Sequence, residues 1–129
     1  MTIPIALDTN AIKPLLRYGA DIYEKIAQGE LRIYLPIPVY AEQIIYPASV
    51  IENLMEAFDA RIVPLRKKHV DDLGKLWYAL PAQQRGPHFW KPHKYDWLIV
   101  AMAYQEGWIL VTNDDGPPFQ SLGAQVFTV

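Results

Sequence analysis

The chain contains no cysteine. That excludes disulfides, cysteine-ligated zinc and thiol nucleophiles, and leaves the redox compartment open. Long hydrophobic runs are also missing. The longest, "WLIVAMAY" at residues 97–104, falls far short of the roughly 20 apolar residues a membrane-spanning helix requires. The opening stretch, "MTIPIALDTN", has neither a basic n-region nor an extended apolar segment. No secretory leader is read there, and a cytoplasmic location is expected. Positive charge is not in excess either. Twelve Lys and Arg against 14 Asp and Glu leave a net charge of −2, so the chain as a whole carries no electrostatic signal for nucleic acid.

What is present is a globular composition. Hydrophobic residues make up 51% and charged residues 20%, too apolar for a disordered chain. The 129 residues suffice for one domain with its own core, expected over residues 1–129. No internal repeat, low-complexity tract or linker divides them.

Apolar runs alternate with helical patterns. "IPIALD" (3–8) reads as a buried strand closed by Asp8. Thr9 and Asn10 then open a helical region reaching about residue 28, interrupted near Pro14 and Gly19, with Gly29 as its stop. "LRIYLP" (31–36) is a second strand. "PVYAEQIIYP" (38–47) is a short helix with Pro38 in its first turn. "SVIENLMEAFD" (49–59) is another, with Val50, Leu54, Ala57 and Phe58 on its apolar stripe. "RIVPL" (61–65) is a short strand whose Pro64 argues for a sheet edge. Residues 69–80 form a helix, and residues 81–94 a loop rich in proline, histidine and basic residues. "YDWLIVAMAYQEG" (95–107) is the clearest helix, with Leu98, Ile99, Met102 and Ala103 on its apolar face and Gly107 as its stop. "WILVT" (108–112) and "AQVFTV" (124–129) complete the strands. This alternation, with strands that are continuous apolar runs, predicts an α/β sandwich with a mainly parallel central sheet. Ligands of such sheets bind beyond the carboxyl ends of the strands.

Acids gather at that edge. Asp8 closes the first strand, and Asp114 follows the strand at 108–112. Glu42 sits one turn into the helix after "LRIYLP", and Asp96 opens the helix before "WILVT". Each has a plainer reading alone. Asp8 can cap a helix. Asp96 suits the positive end of a helix macrodipole. Glu42 can be a solvated helix residue, and "NDDG" is ordinary turn chemistry. Together, four unpaired carboxylates would raise one another's pKa values, and a divalent cation would relieve them. Oxygen-only donors favour Mg²⁺ or Mn²⁺. Such an ion can activate a water or clamp the attacking and leaving oxygens of a phosphodiester. Asp115 then adds charge behind the ligands or caps the turn.

The motifs "LDTN" (7–10), "PVYAEQI" (38–44), "YDWLIVAMAYQEG" (95–107) and "ILVTNDDGPPF" (109–119) resemble the PIN-domain ribonucleases, and in size and layout the VapC-type toxins of toxin–antitoxin systems. The resemblance runs over nearly the whole chain, though residues 48–92 carry little of it and "GPPF" is unusual. It implies a Rossmann-like three-layer sandwich, an Mg²⁺- or Mn²⁺-dependent endoribonuclease, and a site of four catalytic, metal-binding acids. Matched motif by motif, these are Asp8, Glu42, Asp96 and Asp114, with Asn10, Thr112 and Asp115 as supporting polar residues. By the same resemblance, the protein is expected as a homodimer inhibited by an antitoxin that inserts a segment near the acids.

Local charge is compatible with an RNA substrate. Setting the four acids aside leaves 10 against 12 Lys and Arg, a balance of +2. "RGPHFWKPHKYDW" (85–97) interleaves basic residues with Phe89, Trp90, Tyr95 and Trp97 on the way to Asp96. Trp90 can stack on an unpaired base while Lys91 and Lys94 meet phosphates; core tryptophans with solvated lysines would give the same pattern. "RKKH" (66–69) is a second candidate phosphate patch. A non-catalytic PIN-like module that binds RNA or protein is the competing reading. A DNA-directed nuclease of the same fold also fits the acids, which do not read a 2′-OH. A receiver-like phospho-acceptor domain fits poorly: "ALDTN" has one acid, and neither late strand ends in lysine.

Overall fold

The computed structural model describes residues 1–17, 19–46, 51–112 and 126–128. Five strands form one sheet: β1 (Ile3–Leu7), β2 (Leu31–Pro36), β3 (Arg61–Val63), β4 (Ile109–Thr112) and β5 (Val126–Thr128). Their order is β3-β2-β1-β4-β5, and every neighbouring pair is parallel. This is the order of the first five strands of a Rossmann sheet. The three central strands are the apolar runs. Leu7, Ile33, Leu35 and Leu110 are fully buried, as strands covered on both faces must be. β3 is an edge strand and stops before Pro64, whose missing N–H cannot extend a ladder.

Helices flank the sheet. A 3-10 turn (Thr9–Ala11) leads into α1 (Ile12–Leu16), and α2 (Gly19–Ala27) follows. Pro14 falls within the first turn of α1, where an N–H has no partner to lose, so it does not break that helix. Gly29, at φ 73°, ends the region as expected. α3 (Ile37–Ile44) and α4 (Ile51–Phe58) join β2 to β3. The buried stripe of α4 is Ile51, Leu54 and Phe58, with Ala57 exposed. The expected stripe was therefore rotated, and its Val50 lies outside the described residues.

α5 (Lys67–Ala79) and α7 (Lys94–Glu106) pack on each other. The loop expected at 81–94 is instead a run of short helical turns: Ala82–Gln84, α6 (Pro87–Trp90) and Lys91–His93. Pro87 and Pro92 occupy early positions of their turns, where a fixed φ favours the helical start instead of breaking it. α7 has no single apolar face. Trp97 and every residue from Ile99 to Ala103 are buried, because the helix contacts β4, α3 and α5 together. It ends at Gly107, which at φ 74° takes the left-handed conformation and lets Trp108 N–H reach the Ala103 carbonyl at 2.9 Å. Among the described residues, no helix is long and apolar enough to cross a membrane.

His69 ties α5 to α7 from inside the core. Its side chain is fully buried. Nδ1 accepts the Arg66 backbone N–H at 2.9 Å, so Nε2 carries the proton and donates to Glu106 Oε1 at 2.8 Å. Lys68 Nζ reaches the same Glu106 oxygen at 2.9 Å, and Lys67 pairs with Asp71 at 2.8 Å. The "RKKH" run is thus largely engaged in intramolecular contacts, not an open phosphate patch.

Candidate functional site

The register brings the ends of β1 and β4 together, with Leu7 opposite Val111. Asp8 follows directly, and its N–H donates to the Val111 carbonyl at 2.9 Å. From β1 the chain builds outward to β2 and β3, crosses over to β4, and builds outward again to β5. The β1/β4 boundary is therefore the topological switch point, the place where an open parallel sheet leaves a crevice for a ligand.

Asp8 lies within it, only 4% exposed. It caps the Thr9–Ala11 turn, with Oδ1 accepting the Thr9 N–H at 2.8 Å. Oδ2 accepts the Thr112 hydroxyl at 2.8 Å. The predicted site residue is thus also the cap of this turn. Thr112 Oγ1 also lies 3.2 Å from Asn10 Oδ1. A hydroxyl has one proton, and the shorter, charge-assisted bond to Asp8 takes it. The Asn10 contact then requires the amide turned so that its nitrogen faces Thr112.

Glu42 comes from α3. Its Oε2 accepts the Thr9 hydroxyl at 2.9 Å. Thr9 therefore holds Asp8 through its backbone and Glu42 through its side chain. The sequence reading took Thr9 as a helix start and as part of the "LDTN" motif, and gave it no contact with Glu42. Asp96 sits in the first turn of α7, with Oδ2 3.5 Å from His93 Nδ1. His93, read from sequence as a loop residue, opens α7 and faces its acid.

Burial pushes the Asp8 carboxyl up to about 6, against the opposing hydrogen bonds from Thr112 and Thr9, and the charges of Asp96 and Glu42 push in the same direction as burial. Two acids from separate parts of the sequence thus act on one buried carboxylate. Among the described residues, no group of three His, Asp or Glu is gathered closely enough to hold a metal ion alone. The donors nevertheless suit a hard cation: all are carboxylate oxygens, and an Mg²⁺ ion keeps several waters between itself and its protein ligands. Asp114 and Asp115 lie outside the described residues.

The aromatic stretch divides in two. Trp97 is a core residue, 1% exposed, and packs edge-on against Trp77 at 5.2 Å. Trp90 remains at the surface and meets Trp77 at 5.8 Å. Lys91 and Lys94 are exposed, and Lys94 Nζ lies 5.5 Å from the Tyr95 ring centre.

No family model and no curated protein matches the chain. Solved structures do. The chain superposes on DNA-bound VapBC from Salmonella typhimurium with a TM-score of 0.70 at 17% identity, over 98% of each chain. A domain of a functionally unknown protein from Methanocaldococcus jannaschii DSM 2661 matches with a TM-score of 0.58 at 16% identity, over 99% of this chain and 91% of that one. At these identities the likeness is one of fold, and it agrees with the VapC-like PIN fold that the sequence motifs imply.

Proposed function

We propose that the protein is an Mg²⁺- or Mn²⁺-dependent endoribonuclease, folded as one PIN-like domain over residues 1–129 and acting in the cytoplasm as the toxin of a toxin–antitoxin pair. What supports this reading is Asp8, buried at the switch point and linked through Thr9 to Glu42, with burial first and the charges of Asp96 and Glu42 after it raising its carboxyl to about 6. Asp8, Glu42, Asp96 and Asp114 would hold the ion. When bound, it supplies the charge that offsets these carboxylates and polarises the water and phosphate of an in-line displacement. Thr112 and Thr9 hold Asp8 in orientation, Thr9 also anchors Glu42, and Asn10 lies within reach of Thr112. The likeness to VapBC supports an antitoxin as partner, and a homodimer is the assembly that goes with it.

The test is cleavage of a mixed single-stranded and structured RNA pool in EDTA, Mg²⁺ or Mn²⁺, with Asp96→Asn in parallel. Metal-dependent cutting that disappears in the variant supports the reading. A wild-type protein that binds metal yet cuts neither RNA nor DNA overturns it. One observation favours a second reading, a non-catalytic binding module: both Asp8 oxygens already accept hydrogen bonds, from the Thr9 N–H and the Thr112 hydroxyl, as a purely structural cap would. That module would bind RNA or a protein partner without turnover in any metal.

A further inference from the structure

A cleft of about 540 Å³ opens between α5 and the short turns that lead into α7. Val70, Leu73 and Trp77 of α5 line it together with Trp90, and Arg85 and Lys91 supply its positive charge. No carboxylate is among its lining residues. Its rings are usable: Trp90 is 37% exposed and stands edge-on to Trp77. Its charges are uncommitted. Among the described residues, neither Arg85, Lys91 nor the neighbouring Lys94 pairs with a carboxylate, whereas Lys67, Lys68 and Lys75 of α5 all do. Arg85 also rests in an unsatisfied pose. Its guanidinium lies over the Tyr78 ring at 5.6 Å, and its Nε is buried without a hydrogen-bond partner. A buried donor left unpaired is costly, so an anionic acceptor that draws the guanidinium off Tyr78 gains more than an ordinary surface contact.

We propose that this cleft seats one unpaired nucleotide of a single strand, its base against the indoles of Trp90 and Trp77 and its phosphate on Arg85 and Lys91. A nucleotide supplies a flat π face and an anionic oxygen one sugar apart, matching both halves of the cleft. An apolar peptide side chain would use the rings and leave both cations idle. Few polar groups line the cleft to read base edges or a 2′-OH, so it accepts any base and either sugar. Asp96 follows Lys91 by five residues in the chain, and delivery of a strand held here to the acids is part of the proposal. That last step rests on the nuclease reading; the binding itself does not.

The experiment is fluorescence anisotropy of a short labelled oligo(U) with the full chain in EDTA, where no cutting interferes. Single-stranded DNA and duplex RNA serve as competitors. Trp90→Ala is expected to weaken binding about 5- to 150-fold, the range for losing one base stack, and Trp90→Phe to recover most of it. Arg85→Gln and Lys91→Gln are each expected to flatten the dependence of log K on log salt by about 0.7. Single-stranded DNA should compete and duplex RNA should not. The wild type's tryptophan emission should change on binding, a readout that needs no variant to fold. The proposal is overturned if the wild type binds no single strand, or if folded Trp90→Ala binds equally well. It is also overturned if Trp90→Ala leaves RNA affinity intact but abolishes self-association, which would assign the cleft to a second copy of the chain. RNA binding through Trp90 by a protein that never cuts would sink the nuclease reading and leave the cleft standing. Metal-dependent cutting with unchanged Trp90→Ala binding would do the reverse.

Discussion

Asp8→Asn should stabilise the metal-free protein at neutral pH and do progressively less as the solution is acidified. The ordinary aspartate value is 3.8, and Asp8 stands at about 6. Holding it ionised in the folded state therefore costs about 3 kcal/mol above pH 6, at roughly 1.4 kcal/mol per tenfold change in proton affinity. Because its folded pKa is raised, the folded chain binds this proton more tightly than the unfolded one. The group's contribution is most favourable below 3.8 and is lost as pH climbs through about 6. Asparagine removes the charge while keeping the hydrogen bonds. Its oxygen can still accept the Thr9 N–H, and its amide can donate to Thr112 Oγ1, whose own proton is then free for the Asn10 oxygen once that amide turns back toward it. Other carboxylates also titrate, so the informative quantity is the difference between variant and wild type. Urea unfolding in EDTA at pH 4 and pH 7.5 should show that difference growing by about 2.5 kcal/mol, since at pH 4 the unfolded aspartate is already partly ionised, on the order of 1–2 M in midpoint. Added Mg²⁺ should shrink it by stabilising the wild type alone. A difference that stays constant across this range would refute the account of Asp8 as a buried, charge-strained carboxylate.

Thr112→Val should cost about 1–2 kcal/mol, because Asp8 Oδ2 loses its buried donor, while Thr112→Ser should restore most of it; thermal melts of the pair decide this. The same valine should raise the Asp8 titration further, visible as a shifted carboxyl signal in an NMR pH series. His69→Leu should cost about 2–4 kcal/mol, since it strands the Arg66 N–H and leaves Glu106 with Lys68 alone. Burial raises the Glu106 carboxyl, but Lys68 and His69 outweigh it and hold it below its ordinary value. Its contribution is present at neutral pH and fades as pH falls through the lowered value. The His69→Leu penalty, read by urea unfolding, should therefore be smaller at pH 3 than at pH 7.

The sheet was legible because its strands are buried on both faces, and such strands are written as unbroken apolar runs. Even the edge position of β3 could be read from Pro64. Faces were harder. Helix period alone put Ala57 inside, whereas the observed packing of α4 buries Ile51 instead. The face of α7 vanished because three elements surround it. The turns at 82–93 were missed because proline was taken as a breaker, although at the first positions of a helix it is a starter. Among the acids, Asp8 and Asp96 could be placed from strand and helix ends. Thr9 was invisible as a link to Glu42, since the two lie 33 residues apart and meet only through the fold. His69 read as one basic residue in a basic run, and no local pattern announces that the third residue of a helix turns inward.

Asp8 shows why capping and ligand readings of a strand-end acid need not compete. A cap requires a carboxylate whose oxygens face backbone N–H groups just past a strand, and a cation site at a switch point requires one in the same place. Each oxygen of an ionised carboxylate offers about two acceptor positions, so the bonds from Thr9 and Thr112 leave capacity toward the crevice. What a cap alone does not call for is the surrounding charge. An aspartate serving only as a cap is stabilised by its hydrogen bonds and should titrate below 3.8, whereas this one is forced to about 6 by burial with two further acids pressing on it. A chain selected only for stability has an inexpensive remedy in asparagine, an equally good cap. Retaining the charged form at a stability cost is what a site awaiting a cation would require, and the pH dependence of Asp8→Asn with and without Mg²⁺ separates that requirement from simple capping.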